Sequence, residues 1–128
     1  MSKIESFKDL IVYQKAYKLA MRIFELSEGF PKEEKYSLTD QIRRSSRSVT
    51  SNIAEAWPKR RYEKSFISKL IDSLGEEHET DNWLDFSRDC RYISENVRKE
   101  LGNEYLEIRR MLISMINNPD QWCGSKKT

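Results

Sequence analysis

At 128 residues the chain has room for one domain with a single ordinary core. Apolar residues make up 38% and charged residues 34%, a mix that suits amphipathic helices, and no apolar run approaches the roughly 18 residues that a membrane span needs. The net charge of +2 excludes a uniformly basic binder, yet Arg43 to Lys64 carry a net +5 and Asp72 to Asp85 a net −6, and segregated charge makes a field that the total hides.

The first helix is predicted from about Phe7 to Ser27. Ser6 stands at its N-cap with Asp9 three residues on, a box-like start, and Gly29-Phe30-Pro31 stops it. On a helical wheel its apolar residues span roughly 220°, where a helix facing only its own core needs about 100°. The surplus is expected to be covered by another copy of the chain, which places Val12, Ala16, Leu19, Ile23 and Leu26 at an oligomer interface. The competing reading is a helix buried within its own bundle.

The second helix is predicted from about Ser37 to Trp57, after a short turn at Lys32–Lys35, and Pro58 ends it. Leu38, Ile42, Val49, Ile53 and Ala56 share one face. The third runs from near Tyr62 to about Cys90, with Phe66, Leu70 and Leu74 at intervals of four. The fourth spans about Ser94 to Asn117, where Val97, Leu101, Tyr105, Ile108, Leu112 and Met115 step by three or four and Asn118-Pro119 stops the pattern. Residues 119–128 are expected to form a short flexible tail on a bundle of residues 1–118. Four long amphipathic helices with short connections give an all-α, up-down-up-down antiparallel four-helix bundle. The opening MSKIESFKDL lacks the apolar core of a secretory signal. Cys90 and Cys123 match no metal or redox spacing, a usage that fits the cytoplasm.

The chemistry is concentrated in the second helix and the turn after it. Arg43, Arg44 and Arg47 lie away from the apolar stripe, and Lys59, Arg60, Arg61 and Lys64 follow around Trp57 and Tyr62. Guanidinium groups grip phosphate in a bidentate fork, and aromatic faces can stack on bases, so these residues are candidates for a backbone-directed nucleic-acid surface. The plainer reading is a solvated face, with Asp40–Arg44 as an i,i+4 pair and Trp57 and Tyr62 as core aromatics closing the turn. Ser45, Ser46, Ser48, Thr50 and Ser51 crowd seven helical positions, at a propensity cost of roughly 2 kcal/mol against alanine. Their small size allows close helix packing. A nucleophilic serine would need a base beside it, and the one histidine, His78, sits in an acidic run on another helix. That run, Glu76 to Asp81, offers too few nitrogen ligands for a zinc site and lacks the paired Glu-x-x-His of di-iron bundles. Its acids are expected to pair with arginines of a neighbouring helix or subunit.

Phe7-x-x-Leu10, Tyr13-Gln14-Lys15-Ala16, Phe30-Pro31, Glu34, Gln41-Ile42-Arg43-Arg44, Ser48-Val49 and Ser51-Asn52-Ile53-Ala54-Glu55 resemble the four-helix-bundle family whose founding members are encoded by intervening sequences in bacterial 23S ribosomal RNA genes. The likeness runs from about Phe7 to Ile116. It implies a homo-oligomer, a pentameric barrel of up-down bundles. Through a relative, the accessory protein of diversity-generating retroelements, it also implies a basic surface that binds nucleic acid and contacts a reverse transcriptase. Arg43 and Arg44 fall on basic positions of the family, Asn52 and Glu55 on structural ones. The chain departs from the pattern at Ala56-Trp57-Pro58, where members often carry a glycine-containing turn, and its net charge is lower than that of the retroelement protein.

The resulting expectation is a non-enzymatic, cytoplasmic homopentamer that holds RNA or DNA through its basic surface, with no cofactor, metal, membrane contact or small-molecule substrate. A protein–protein interaction scaffold without nucleic-acid binding is the alternative.

Overall fold

The computed structural model describes residues 3–124. Its long elements are α1 (Ile11–Ser27), α2 (Asp40–Ala56), α3 (Glu63–Asp89) and α4 (Glu95–Asn117), followed by the single turn α5 (Asp120–Cys123). Each long helix packs on the next, and α4 closes the ring against α1, the arrangement of a four-helix bundle.

The start of the chain differs from one continuous helix. Ser6 and Asp9 do form a reciprocal capping box, but it closes a 3-10 turn over Phe7–Asp9. Leu10 then adopts an extended backbone (φ −70°, ψ 129°), which drives its side chain into the core at 2% exposure before α1 begins. The lead into α2 is also irregular. A 3-10 turn, Lys32–Glu34, passes into a π-helical stretch, Lys35–Thr39, that buries Leu38. Pro58 does not simply stop α2: it occupies the start of a 3-10 turn, Trp57–Arg61, where its missing N–H costs nothing. Ser94 caps α4, its hydroxyl accepting from the Val97 N–H at 3.1 Å.

The apolar stripes read from the sequence meet in one core. Ile42, Val49, Ile53 and Ala56 of α2 and Leu101, Tyr105, Ile108, Leu112 and Met115 of α4 are all buried, with Phe66, Leu70 and Leu84 of α3. The α1 interface assignment is corrected here. Val12, Ala16, Leu19 and Ile23 are at most 3% exposed within this single chain, and Leu26 is packed against the same core. The wide apolar arc has an internal cause, because α1 lies between α2 and α4 and must face both. What it leaves outside is Ile11, Tyr17 and Met21.

Part of the expected tail is folded. Trp122 of α5 packs against the core with its ring centroid 6.5 Å from that of Trp57. The folded unit therefore extends past residue 118, and only residues 125–128 of the expected tail lie outside the described residues.

Candidate nucleic-acid interface

The hydroxyl-rich segment of α2 is packing material. Ser45 and Ser46 are fully buried, and Ser46 and Thr50 return their hydroxyl protons to the carbonyls of Arg43 and Arg47, at 3.2 and 2.6 Å. Ser73 of α3 donates to the Val49 carbonyl at 2.8 Å, and Thr80 Oγ1 lies 2.8 Å from Ser45 Oγ. Small side chains with satisfied hydroxyls let α2 and α3 approach closely, so the propensity cost is offset by packing.

The seven candidate cations do not form one surface. Arg43 and Arg47 lean toward α1. The Arg43 guanidinium donates to Ser27 Oγ at 2.7 Å and lies 4.6 Å from the Phe24 ring centroid, with Arg47 at 5.8 Å from the same ring. Arg44 leans the other way, into α3, where it bridges Glu76 and Glu79 rather than Asp40. At the far end of α2, Arg60 is stacked on Trp57 at 3.5 Å and donates to the Trp57 carbonyl at 2.7 Å. Lys59, Arg61 and Lys64 are exposed, and among the described residues Arg61 and Lys64 enter no ion pair. The twelve residues from Arg47 to Lys59 separate the two groups by roughly 18 Å along the helix. Trp57 is half-buried as a core aromatic should be, whereas Tyr62 is 63% exposed and belongs to the surface of the basic turn.

The acidic run is paired with arginines of α2 and α4. Glu77 is completely buried and accepts both arms of Arg109 from α4, each at 2.9 Å. Arg98 of α4 donates to Asp81 and Asp85, both at 2.8 Å. Burial and the neighbouring Glu79 push the Glu76 carboxyl above its ordinary value. His78 Nδ1 lies 2.9 Å from the Leu74 carbonyl. Among the described residues no three His, Cys, Asp or Glu side chains converge as metal donors. Tyr105 is wholly buried, and among the described residues its hydroxyl has no hydrogen-bond partner; burial with the nearby Glu77 and Glu104 carboxylates holds the phenol well above the usual tyrosine range.

Sequence reasoning missed one group. On the outer edge of α1, Lys8, Tyr13, Gln14, Tyr17 and Lys18 line a hollow of about 590 Å³. The Tyr13 and Tyr17 rings stand 6.0 Å apart, and Phe7 meets Tyr13 edge-on at 4.9 Å. Burial, with Tyr17 beside it, raises the Tyr13 phenol. The signal was present as Tyr13 and Tyr17 at i,i+4 with lysines on both sides, but both rings read as part of an apolar arc.

The family described as 23S rRNA-intervening sequence protein matches residues 8–114. Among solved structures, a Bacteroides thetaiotaomicron VPI-5482 protein of unknown function from the S23 ribosomal protein family is 33% identical with a TM-score of 0.75, the match covering 84% of this chain and 96% of that one. No curated protein matches. With nearly the whole bundle inside the matched span, the chain belongs to the 23S rRNA-intervening sequence protein family.

Proposed function

We propose that the chain is a non-enzymatic, cytoplasmic scaffold, assembled as a homo-oligomer of five copies, that holds RNA or DNA by its phosphates. The observation that carries this reading is the unequal fate of the two charge zones. The acids of α3 from Glu76 to Asp85 are paired with Arg44, Arg98 and Arg109 within the bundle, while Lys59, Arg61 and Lys64 stay exposed at the turn. Pairing leaves the net charge unchanged, but it leaves the cations of the turn as a local basic patch, which favours a polyanion. The same inward pairing weakens the alternative, a protein scaffold on which acidic and basic zones of neighbouring molecules recognise each other.

The proposed assembly rests on apolar surface left over at the α1–α4 side. A cleft of about 690 Å³ opens there, lined by Leu10, Ile11, Met111, Met115 and Trp122, and Ile4 and Ile11 in its lining are 41% and 59% exposed. A second copy is the proposed cover. Among the described residues Cys90 and Cys123 form no disulfide, which fits the cytoplasmic placement.

Light scattering with and without a mixed RNA–DNA pool tests both parts. A mass near five subunits is expected, with a shift on adding nucleic acid at low salt that fades at high salt, at a log–log slope of roughly −0.9 per duplex phosphate contact. Reversing Lys59, Arg61 and Lys64 to Glu should abolish the shift and keep the mass. Salt-insensitive binding, or binding unchanged by the reversal, would sink the phosphate reading. A monomer would sink the assembly.

A further inference from the structure

Resting on the nucleic-acid reading above, we infer that the hollow on the outer edge of α1 is a stacking seat for an unpaired base of a single-stranded nucleic acid, with Tyr17 as its platform and Lys8 and Lys18 as ligands for the flanking phosphates.

Tyr17 is 52% exposed, so about half of the residue is open to solvent. Tyr13 is half-buried and held edge-on by Phe7, which makes it a fixed back wall. Lys8 and Lys18 stand exposed on either side, and among the described residues neither enters an ion pair. No acidic side chain lines the hollow, so nothing there repels an anion. Gln14 spends one amide proton on the Lys8 carbonyl at 2.9 Å, which orients the group and leaves its oxygen and second proton free for a base edge.

The seat is also continuous with other cations. Phe24 follows Tyr17 by seven residues, two turns along the same side of α1 and roughly 10 Å away. Its ring carries Arg43 and Arg47. A strand leaving the hollow along α1 thus meets two guanidinium groups already oriented by an aromatic face.

Stacking is what separates this site from the phosphate contacts at the basic turn. Both duplex and single strand present phosphates, but a duplex keeps its base faces covered, and exposing one costs unpairing energy. The α1 hollow therefore selects single strands, where the turn cations do not discriminate.

Fluorescence anisotropy on the full chain at low salt tests this with a labelled 12-nucleotide single strand, as RNA and as DNA, and the matching duplex. Tyr17→Ala, at an exposed helical position, should leave helicity and thermal stability intact while weakening single-strand binding about 10-fold. Duplex binding should not change, and Tyr17→Phe, which keeps the ring, should restore the single-strand affinity. Equal losses for both ligands, or single-strand binding indifferent to Tyr17→Ala, would overturn the stacking seat and leave the phosphate reading standing. A changed molar mass for Tyr17→Ala with unchanged binding would overturn it too, by making the hollow a contact between copies or with another protein. Failure of the unmodified chain to bind any of the three ligands would remove both readings together.

Discussion

At the scale of single residues, the most constrained position is Glu77. Burying a carboxylate is costly unless its oxygens are engaged, and the bidentate grip of Arg109 engages both. Removing Arg109 strands the Glu77 charge in the core, whereas Arg109 itself is partly exposed and also faces Asp81. Arg109→Met should lower the unfolding free energy by about 3 kcal/mol in urea denaturation. Pairing it with Glu77→Leu should recover most of that loss, because an apolar pair of similar volume tolerates the same site.

Tyr92 supplies a second residue-scale test. Its hydroxyl donates to Glu34 at 2.8 Å, and Ser37 donates to the other oxygen of that carboxylate at 2.6 Å. These bonds hold Glu34 below its ordinary range, and the carboxylate pushes Tyr92 up to about 12. The Glu34 contribution is present above its unfolded value and is lost as pH falls through the depressed folded one. The Tyr92 contribution is present below its unfolded value of about 10 and is lost as pH rises toward 12. The clasp between the α1–α2 connection and the α3–α4 turn is thus complete only between those limits. Tyrosinate absorbance should show Tyr92 among the late-titrating tyrosines, beside Tyr13 and Tyr105, and Glu34→Gln should bring that one titration back toward 10.

At the scale of elements, α3 carries a local weakness. Gly75 is exposed in mid-helix, and a Cβ placed there would meet no other atom within 4 Å. Gly75→Ala should therefore stabilise the chain by about 0.5–1 kcal/mol, read as a raised urea midpoint with an unchanged slope. The long helices were legible because their apolar residues repeat at helical spacing, and their ends because Ser94, Gly29-Phe30-Pro31 and Asn118-Pro119 are local signals. The breaks were not. Leu10 leaves the helix because its side chain is drawn into the core, and Lys35–Thr39 widens to seat Leu38. Both are tertiary demands that local sequence does not carry.

For the whole molecule, the bundle followed from pattern, but the site did not follow from composition. Three arginines within five residues read as one basic face. A helix turns 100° per residue, so Arg44 lands beside the acids of α3, while Arg43 and Arg47 land over Phe24. Their partners lie on other helices and were invisible along the chain. The α1 arc failed for a related reason: a wheel shows how much surface is apolar, but not that two neighbours share it. Of the proposed interface, the exposed turn cations were readable directly, since nothing distant competes for them.

The Glu77–Arg109 pair also constrains how such a chain can drift. Loss of the Arg109 charge leaves Glu77 buried without its bidentate partner, so descendants that lose it are expected to change position 77 as well. Because the two residues sit on facing helices, keeping them also keeps α3 and α4 from sliding by a turn. Positions 77 and 109 should therefore vary as one unit in related sequences, while the exposed lysines of the turn remain free to wander independently.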